Sequence, residues 1–185
     1  EALAQEVIDG DDEINQLYLD LEKQCTDLIA LQQPVAGDLR FIAASFKIIT
    51  DLERIADLAT NLGEYALAAD EDPFPGIDIQ GLGEITLEML ADSMAAYADE
   101  DRELCYAVND RDDELDAECE IASDTVVREL IEGEKQMDDD EIEGFMEDVS
   151  RLLLTVRDLE RVGDHTVNIA ARALYMIDNN DELIY

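Results

Sequence analysis

A seven-residue motif occurs twice in this chain, as DLERIAD at residues 51–57 and as DLERVGD at residues 158–164. Five of the seven positions are identical, and the two copies lie 107 residues apart. A match of this length is improbable by chance in a chain of 185 residues. Because repeats indicate repeated structural units, the chain is expected to contain two versions of one unit.

The similarity continues along the chain with helical spacing. Apolar and small side chains recur every three or four residues around both motifs, which is typical of an amphipathic helix packed against other helices. At the offset of 107 these positions are Ile42, Ser45, Ile49, Leu52, Ala56, Ala59 and Gly63 in the first copy, and Val149, Leu152, Val156, Leu159, Gly163, Thr166 and Ala170 in the second. Upstream, GDDEIN at 10–15 resembles RDDELD at 111–116, at an offset of 101.

The pattern predicts an all-α fold of two tandem antiparallel three-helix bundles. Only three prolines are present and no stretch alternates like a strand, which favours helices throughout. We predict a first repeat at 1–72 with helices at about 12–32 and 35–69, a linker at 73–81, and a second repeat at 82–185 with helices at about 82–108, 112–133 and 139–178. Residues 1–9 are interpreted as the end of a helix closed by Gly10, so the first bundle is expected to lack most of its leading helix.

The charge is extreme, because 49 acidic residues face 12 basic ones and the net charge is −37. Such a surface destabilises a compact state at low salt, and salt screens the repulsion. Acids spread along the whole chain are typical of a protein adapted to a very salty cytoplasm. The alternative is an acidic face built for one basic partner, which predicts clustering of the acids. Direct binding of nucleic acid is not expected without a basic patch.

Other classes of protein are disfavoured by the same composition. Cys25, Cys105 and Cys119 have no Cys-x-x-Cys spacing and are expected to be buried thiols of a reducing compartment, not a disulfide framework or a zinc site. No apolar run approaches the length of a membrane span.

Carboxylates repeat at a spacing of four residues, which places both members of a pair on one face of a helix. Since like charges at this spacing destabilise a helix, a bound cation with a preference for oxygen ligands is the favoured compensation. The alternative is that the pairs belong to a surface saturated with acids. The candidate metal ligands are Asp11, Asn15, Glu53 and Asp57 in the first copy, and Asp112, Asp116, Glu160 and Asp164 in the second. Asn61 and Asn168 are expected to extend the Glu53 and Glu160 lines.

Catalytic signals are sparse. His165 is the only histidine, so Ser-His and Cys-His nucleophile pairs have almost no candidates. A surface or packing role is favoured for His165 over metal binding. There is no Gly-rich phosphate loop. Di-iron enzymes of the ferritin type need Glu-x-x-His on two helices, and that spacing is absent. The chain is therefore predicted not to be an enzyme, and a carboxylate-bridged metal enzyme is a distant alternative.

Taken together, these segments resemble the PhoU family, and the resemblance covers almost the whole chain. The combination is specific, whereas DLER alone would not be. The matching segments are VIDGDDEIN at 7–15, QPVAGDLR at 33–40, the motif at 51–57, LERVGDH at 159–165 and NIA at 168–170.

The resemblance implies a non-enzymatic, cytoplasmic and often dimeric protein that restrains phosphate uptake. The implied partners are a phosphate ABC transporter and a phosphate-signalling protein. It also implies that the eight candidate ligands can hold iron or another divalent or trivalent metal cluster. An alternative function is a PhoU domain that controls another transporter, or transcription, through an attached domain.

Three features depart from the family pattern. Ala56 replaces a usual glycine, Asn15 replaces a carboxylate and weakens the first metal site, and the leading helix of the first bundle is not evident.

Overall fold

The computed structural model describes residues 1–69, 74, 76–133 and 139–184, and the regular structure in these ranges is α-helical. This confirms the predicted all-α class. The helices are α1 (Ala2–Asp9), α2 (Asp11–Gln32), α3 (Ala36–Ala68), α4 (Ile79–Asp99), α5 (Arg102–Gly133) and α6 (Asp139–Asp178). The predicted linker at 73–81 lies partly outside the described residues.

Aspartate side chains cap the first turns of α4 and α5. Asp78 Oδ1 accepts a hydrogen bond of 2.9 Å from the backbone N–H of Gly81 at the start of α4. Asp101 Oδ1 accepts bonds of 3.0 and 3.2 Å from the N–H groups of Glu103 and Leu104 at the start of α5. Such caps satisfy donors that have no partner within the helix.

The predicted boundary between α4 and α5 was wrong. The sequence indicated helices at 82–108 and 112–133, but the chain turns at Glu100, which has a left-handed φ of 55°. Together with the Asp101 cap, that turn ends α4 at Asp99, and α5 then passes through residue 111 without interruption. The Asp-rich segment at 111–113 had been mistaken for a helix start.

Helix α1 ends at Asp9 with Gly10 as its C-cap residue, as the sequence indicated. Its interpretation as the end of the leading helix of the first bundle is corrected. At the offset of 101, α1 corresponds to residues 103–110, which form the first part of α5 and not the end of α4. Gly10 separates α1 from α2 while keeping right-handed helical dihedrals, φ −79° and ψ −12°. Among the described residues of the first bundle, no helix takes the position that α4 has in the second.

Helices α3 and α6 form the centre of the molecule. Helices α4 and α5 pack on α6, whereas α1 and α2 pack on α3. Between the two bundles, Ile48, Ile55 and Leu58 of α3 meet Val162 and Ile169 of α6 in a buried cluster. Fully buried aliphatic side chains contribute roughly 1.5–3 kcal/mol each, so this contact fixes the position of one repeat against the other.

The repeated apolar positions are buried to different extents in the two copies. In α6, Val156, Leu159 and Ala170 are buried in a core that also contains Leu82 and Met89 of α4. In α3, Ile49 and Leu52, the equivalents of Val156 and Leu159, are only half-buried. Gly63, the equivalent of Ala170, is buried against α1. The difference at Ile49 and Leu52 follows from the arrangement of helices, because α4 covers the α6 positions and no described helix covers these two positions of α3.

None of the described helices has the length and apolarity that crossing a membrane requires.

Candidate metal site and bundle interface

The four carboxylates predicted for the second copy come from two helices that approach closely. Asp112 and Asp116 lie one turn apart on α5, and Glu160 and Asp164 lie one turn apart on α6. Gly163 permits the approach. A methyl group at that position would overlap the Leu115 side chain and lie 3.0 Å from Asp112 Oδ1.

Asp112 occupies the least solvated position of this cluster. Burial, followed by the charges of Asp116 and Asp164, raises the pKa of its carboxyl to about 7, with smaller contributions from Asp113 and Glu160. Its Oδ1 is buried and has no hydrogen-bond partner within the described part of the chain. A buried acceptor without a donor is costly, and a proton or a cation would relieve that cost.

Burial and neighbouring negative charges also raise the pKa values of Glu160 and Asp164 on α6. Burial raises the pKa of Glu160, followed by the charges of Asp116 and Asp164. Burial and then Asp116 also raise the pKa of Asp164, while its neighbours His165 and Arg161 lower it. The structure therefore brings Asp112, Asp116, Glu160 and Asp164 within electrostatic reach of one another.

The arrangement is not a closed coordination sphere. Across residues 1–69, 74, 76–133 and 139–184, no three His, Cys, Asp or Glu side chains are assembled at metal-binding geometry. The donor set is nevertheless chemically suited to a hard cation, since it offers only carboxylate oxygens.

In the first copy, the candidate ligands already have hydrogen-bond or ion-pair partners within the chain. Asn15 Nδ2 donates a hydrogen bond of 2.9 Å to Asp11 Oδ2, and the Thr60 hydroxyl lies 3.5 Å from Asp11 Oδ1. Arg54 forms ion pairs with Glu53 at 3.5 Å and with Asp57 at 3.3 Å. Metal binding by Asp11, Asn15, Glu53 and Asp57 stays a prediction, and these internal partners would compete with it.

Asn61 and Asn168 do not extend the carboxylate lines, contrary to the sequence interpretation. Asn61 Nδ2 donates to Asp158 Oδ2 at 3.5 Å, and Asn168 Nδ2 donates to Asp51 Oδ1 at 3.3 Å. Eight residues after the glutamate, each asparagine has rotated far enough around its helix to face the other bundle. Helical spacing alone did not show that another helix lies on that side.

The first aspartate of each motif copy was missed as a functional residue. Asp158 is fully buried; it accepts a bond of 3.2 Å from the Tyr65 hydroxyl and bonds of 2.9 and 2.7 Å from Arg157 Nε and Nη2. Asp51 lies 2.8 Å from His165 Nδ1. Identity of both aspartates in the repeat was the available signal. His165 thus lies at the interface between α3 and α6, in contact with Asp51.

The sequence of this chain matches those of known proteins. The family model described as the PhoU domain matches residues 1–66 and 79–173. A homologue of the phosphate-specific transport system accessory protein PhoU from Pseudomonas putida is 32% identical over 185 residues, which cover 97% of this chain and 68% of that protein. The corresponding protein of Aquifex aeolicus is 46% identical over 116 residues, which cover 62% of this chain and 52% of its own length.

Two solved structures have the same fold as this chain. The crystal structure of PhoU from Pseudomonas aeruginosa superposes with a TM-score of 0.84 at 31% identity, covering 97% of this chain and 83% of that one. The phosphate transport system regulatory protein PhoU from Streptococcus pneumoniae shows the same fold, with a TM-score of 0.84 at 24% identity, covering 97% of this chain and 81% of that one. The curated relatives are named as accessory proteins of a transport system, which supports the prediction that the chain is not an enzyme. On its repeats, its helical arrangement and these matches, the chain belongs to the PhoU family.

Proposed function

We propose that this protein regulates phosphate homeostasis by restraining phosphate uptake. The supporting observation is a match along nearly the whole chain to proteins named for the phosphate-specific transport system. Such a regulator acts in the cytoplasm, docks on components of a phosphate ABC transporter, and communicates with a phosphate-signalling protein. It functions as a homodimer, so that each assembly presents two copies of the docking surface.

The carboxylate cluster of the second bundle supports a role for metal in this regulation. Asp112, Asp116, Glu160 and Asp164 would hold iron or another divalent or trivalent cation, which would supply positive charge to an otherwise acidic surface. The orphaned Asp112 Oδ1 is the observation that favours this copy over the first. The chain's own contribution is to desolvate these carboxylates and to hold α5 and α6 together at Gly163.

Metal analysis of protein purified without chelators tests this part of the proposal. Asp112→Asn combined with Glu160→Gln should abolish bound metal. Asp11→Asn combined with Glu53→Gln is the matched control and should leave most of it, because those groups already have partners in the chain. Equal metal content in the two double variants would remove the second-copy cluster from the site.

Docking is tested by co-purification with the transporter's ATPase subunit from the host. Recovery of that subunit with the tagged chain, and not with a tagged acidic protein of similar charge, is expected. Equal recovery of the ATPase subunit with the acidic control would mean that the association depends on negative charge alone, and it would contradict specific docking.

A further inference from the structure

A row of basic side chains runs along the contact between α3 and α6, in a chain whose acids outnumber its bases by 49 to 12. At about 100° per residue, the basic residues of each helix fall on one face. They are Arg40, Lys47 and Arg54 of α3, and Arg157, Arg161, His165 and Arg172 of α6. Asp51 and Asp158 lie on the same faces, but each is already hydrogen-bonded to the opposite helix. The composition alone does not predict such a concentration of basic groups.

The hydrogen bonds between α3 and α6 define the register of the two helices. Asn168 donates to Asp51 at 3.3 Å, and Asn61 donates to Asp158 at 3.5 Å. Ten residues forward on α3, from 51 to 61, therefore correspond to ten residues backward on α6, from 168 to 158. The two helices are antiparallel, and positions on them can be matched turn by turn.

Lys47 and Arg172 lie opposite each other in this register. Lys47 precedes Asp51 by one helical turn, Arg172 follows Asn168 by one turn, and the axes of packed helices are about 8–10 Å apart. Lys47 is exposed and Arg172 is half-buried. Within the described part of the chain, neither side chain takes part in an ion pair or a hydrogen bond. Two like charges that face each other without a counterion repel, so this position favours an anion.

The surroundings distinguish this pair from the other cations of the row. Arg54 already forms ion pairs with Glu53 and Asp57. One turn from Lys47 and Arg172, by contrast, the exposed neighbours are uncharged, as at Ala43 and Asn168, and Asp51 is occupied by its bonds to α6. An ammonium and a guanidinium together offer the charged N–H donors that a tetrahedral oxyanion accepts.

The exposure of this pair does not depend on a helix equivalent to α4. In the second bundle α4 covers Leu159 of α6, which lies about 140° around the helix from Arg172. The equivalent residue of α3, Leu52, lies about 140° from Lys47. A helix that covered the first bundle as α4 covers the second would therefore lie on the far side of α3 from the cation pair.

A compact anion fits this position better than an extended one. Further along the contact the row is flanked by carboxylates, Glu53 and Asp57 of α3 and Glu160 and Asp164 of α6. A long acidic segment or a nucleic acid would have to pass between these pairs, and like charges across an interface are unfavourable. A single small oxyanion would contact the two cations and stop short of the carboxylates.

We propose that Lys47 and Arg172 bind inorganic phosphate at the contact between the two bundles. Bound phosphate neutralises the two facing charges and joins α3 to α6, so it stabilises the position of one bundle against the other. This inference deepens the proposed regulatory function and rests on it, because it names the ligand whose concentration the regulator would report. Phosphate binding by purified protein and phosphate uptake by cells are separate measurements, so failure of one is distinguishable from failure of the other.

The test is equilibrium dialysis of radiolabelled phosphate against the chain after metal has been removed with a chelator and the chelator has been dialysed away. It is done at the lowest KCl concentration at which the chain is folded. Saturable binding of one phosphate per chain is expected, together with a thermal midpoint that rises with phosphate concentration. Lys47→Gln combined with Arg172→Gln should weaken binding at least tenfold, because it removes the charge-assisted hydrogen bonds, and should abolish the rise in the midpoint.

The matched control is Lys23→Gln combined with Arg128→Gln. It removes the same two residue types, changes the net charge equally, and affects exposed side chains without an ion pair among the described residues. Neither residue lies on α3 or α6. Phosphate affinity in this control should change by less than twofold.

Several results would overturn the proposal. Absence of saturable binding would do so directly. Binding that requires added metal would assign phosphate to the carboxylate clusters, and equal weakening in the two double variants would show attraction by positive charge in general. Tighter binding of glycerol 3-phosphate than of phosphate would assign the pair to the phosphate group of a larger ligand.

Discussion

The hydroxyl of Tyr65 on α3 donates a hydrogen bond of 3.2 Å to the fully buried carboxylate of Asp158 on α6. The other motif copy has an equivalent acceptor, because Asp51 of α3 lies within hydrogen-bond distance of His165 and Asn168 of α6. The two copies of the repeat thus exchange hydrogen bonds through the same motif position. These contacts join the bundles beside the cluster that contains Ile55 and Val162.

Removal of the Asp158 carboxylate should destabilise the interface. Asp158→Ala leaves the Tyr65 hydroxyl and Asn61 without their acceptor, and bonds to charged groups are worth about 1.5–3 kcal/mol. We expect a loss of about 2–3 kcal/mol in the free energy of unfolding, measured by urea denaturation in high salt. Tyr65→Phe should lose about 1 kcal/mol. Asp57→Ala, at a solvent-exposed ion pair, is the control and should change stability by less than about 1 kcal/mol. An Asp158→Ala effect no larger than that control would contradict the account.

Gly163 should not tolerate a side chain. Its Cβ would overlap Leu115, and overpacking of a close helix contact costs about 1–3 kcal/mol. Gly163→Ala is therefore expected to lower the thermal unfolding midpoint. Gly144→Ala is the matched control, because it lies in the same helix with no atom within 4 Å of the added methyl. It should stabilise by about 0.5–1 kcal/mol through helix propensity. Stabilisation by both substitutions would show that α5 and α6 are further apart than described.

Stability should depend on pH through the second-copy cluster. The pKa of Asp112 is raised to about 7 by burial and by its acidic neighbours, while an unfolded aspartate titrates near about 4. Between these values the folded state binds more protons than the unfolded state. Stability contributed by this group is therefore present at low pH and is lost as pH rises from about 4 to 7.

Asp112→Asn isolates this effect from the repulsion of the whole surface. In the presence of a chelator, urea midpoints of the parent chain should fall more steeply over this pH range than those of Asp112→Asn. Because the remaining acids are common to both proteins, their contribution cancels in the difference. Parallel curves would mean that Asp112 titrates normally in the folded chain.

The acidic surface should make folding depend on salt. With a net charge of −37, self-repulsion opposes the compact state, and at 1 M salt the screening length falls to about 3 Å. We propose that the chain is adapted to a salty cytoplasm, and its thermal midpoint should rise between 0.1 and 2 M KCl. A midpoint that does not change with salt would contradict this adaptation.

The helical class and the repeat could be predicted because both depend on local patterns. The bounds predicted for α6 agree with the structure, since its apolar period continues over the whole helix. The turn at Glu100 could not be predicted, because a left-handed glutamate leaves no compositional signal, whereas the Asp-rich segment at 111–113 resembles a helix start. Local sequence also does not predict how deeply a residue is buried, because burial depends on the neighbouring helices. The same repeat position is buried as Leu115 and exposed as Ile14.

The candidate site was predicted in part. Spacing of four residues correctly placed Asp112 with Asp116 and Glu160 with Asp164 on shared helix faces. It did not distinguish this cluster from the first copy, where Arg54 and Asn15 supply partners. That difference depends on side-chain orientation and on desolvation, which arise only after α5 and α6 pack together. The hydrogen bonds of Asp51 and Asp158 across the bundles depend likewise on a helix contact that no local spacing encodes.

Phosphate uptake in a deletion strain tests the central claim most directly. Uptake of radiolabelled phosphate is measured in phosphate-replete medium for the parent strain, the deletion strain, and the deletion strain carrying the gene on a plasmid. The account predicts that uptake rises in the deletion strain and returns to the parental rate on complementation. Uptake that is unchanged by the deletion, with phosphate-responsive genes still repressed, would contradict a role in restraining phosphate transport.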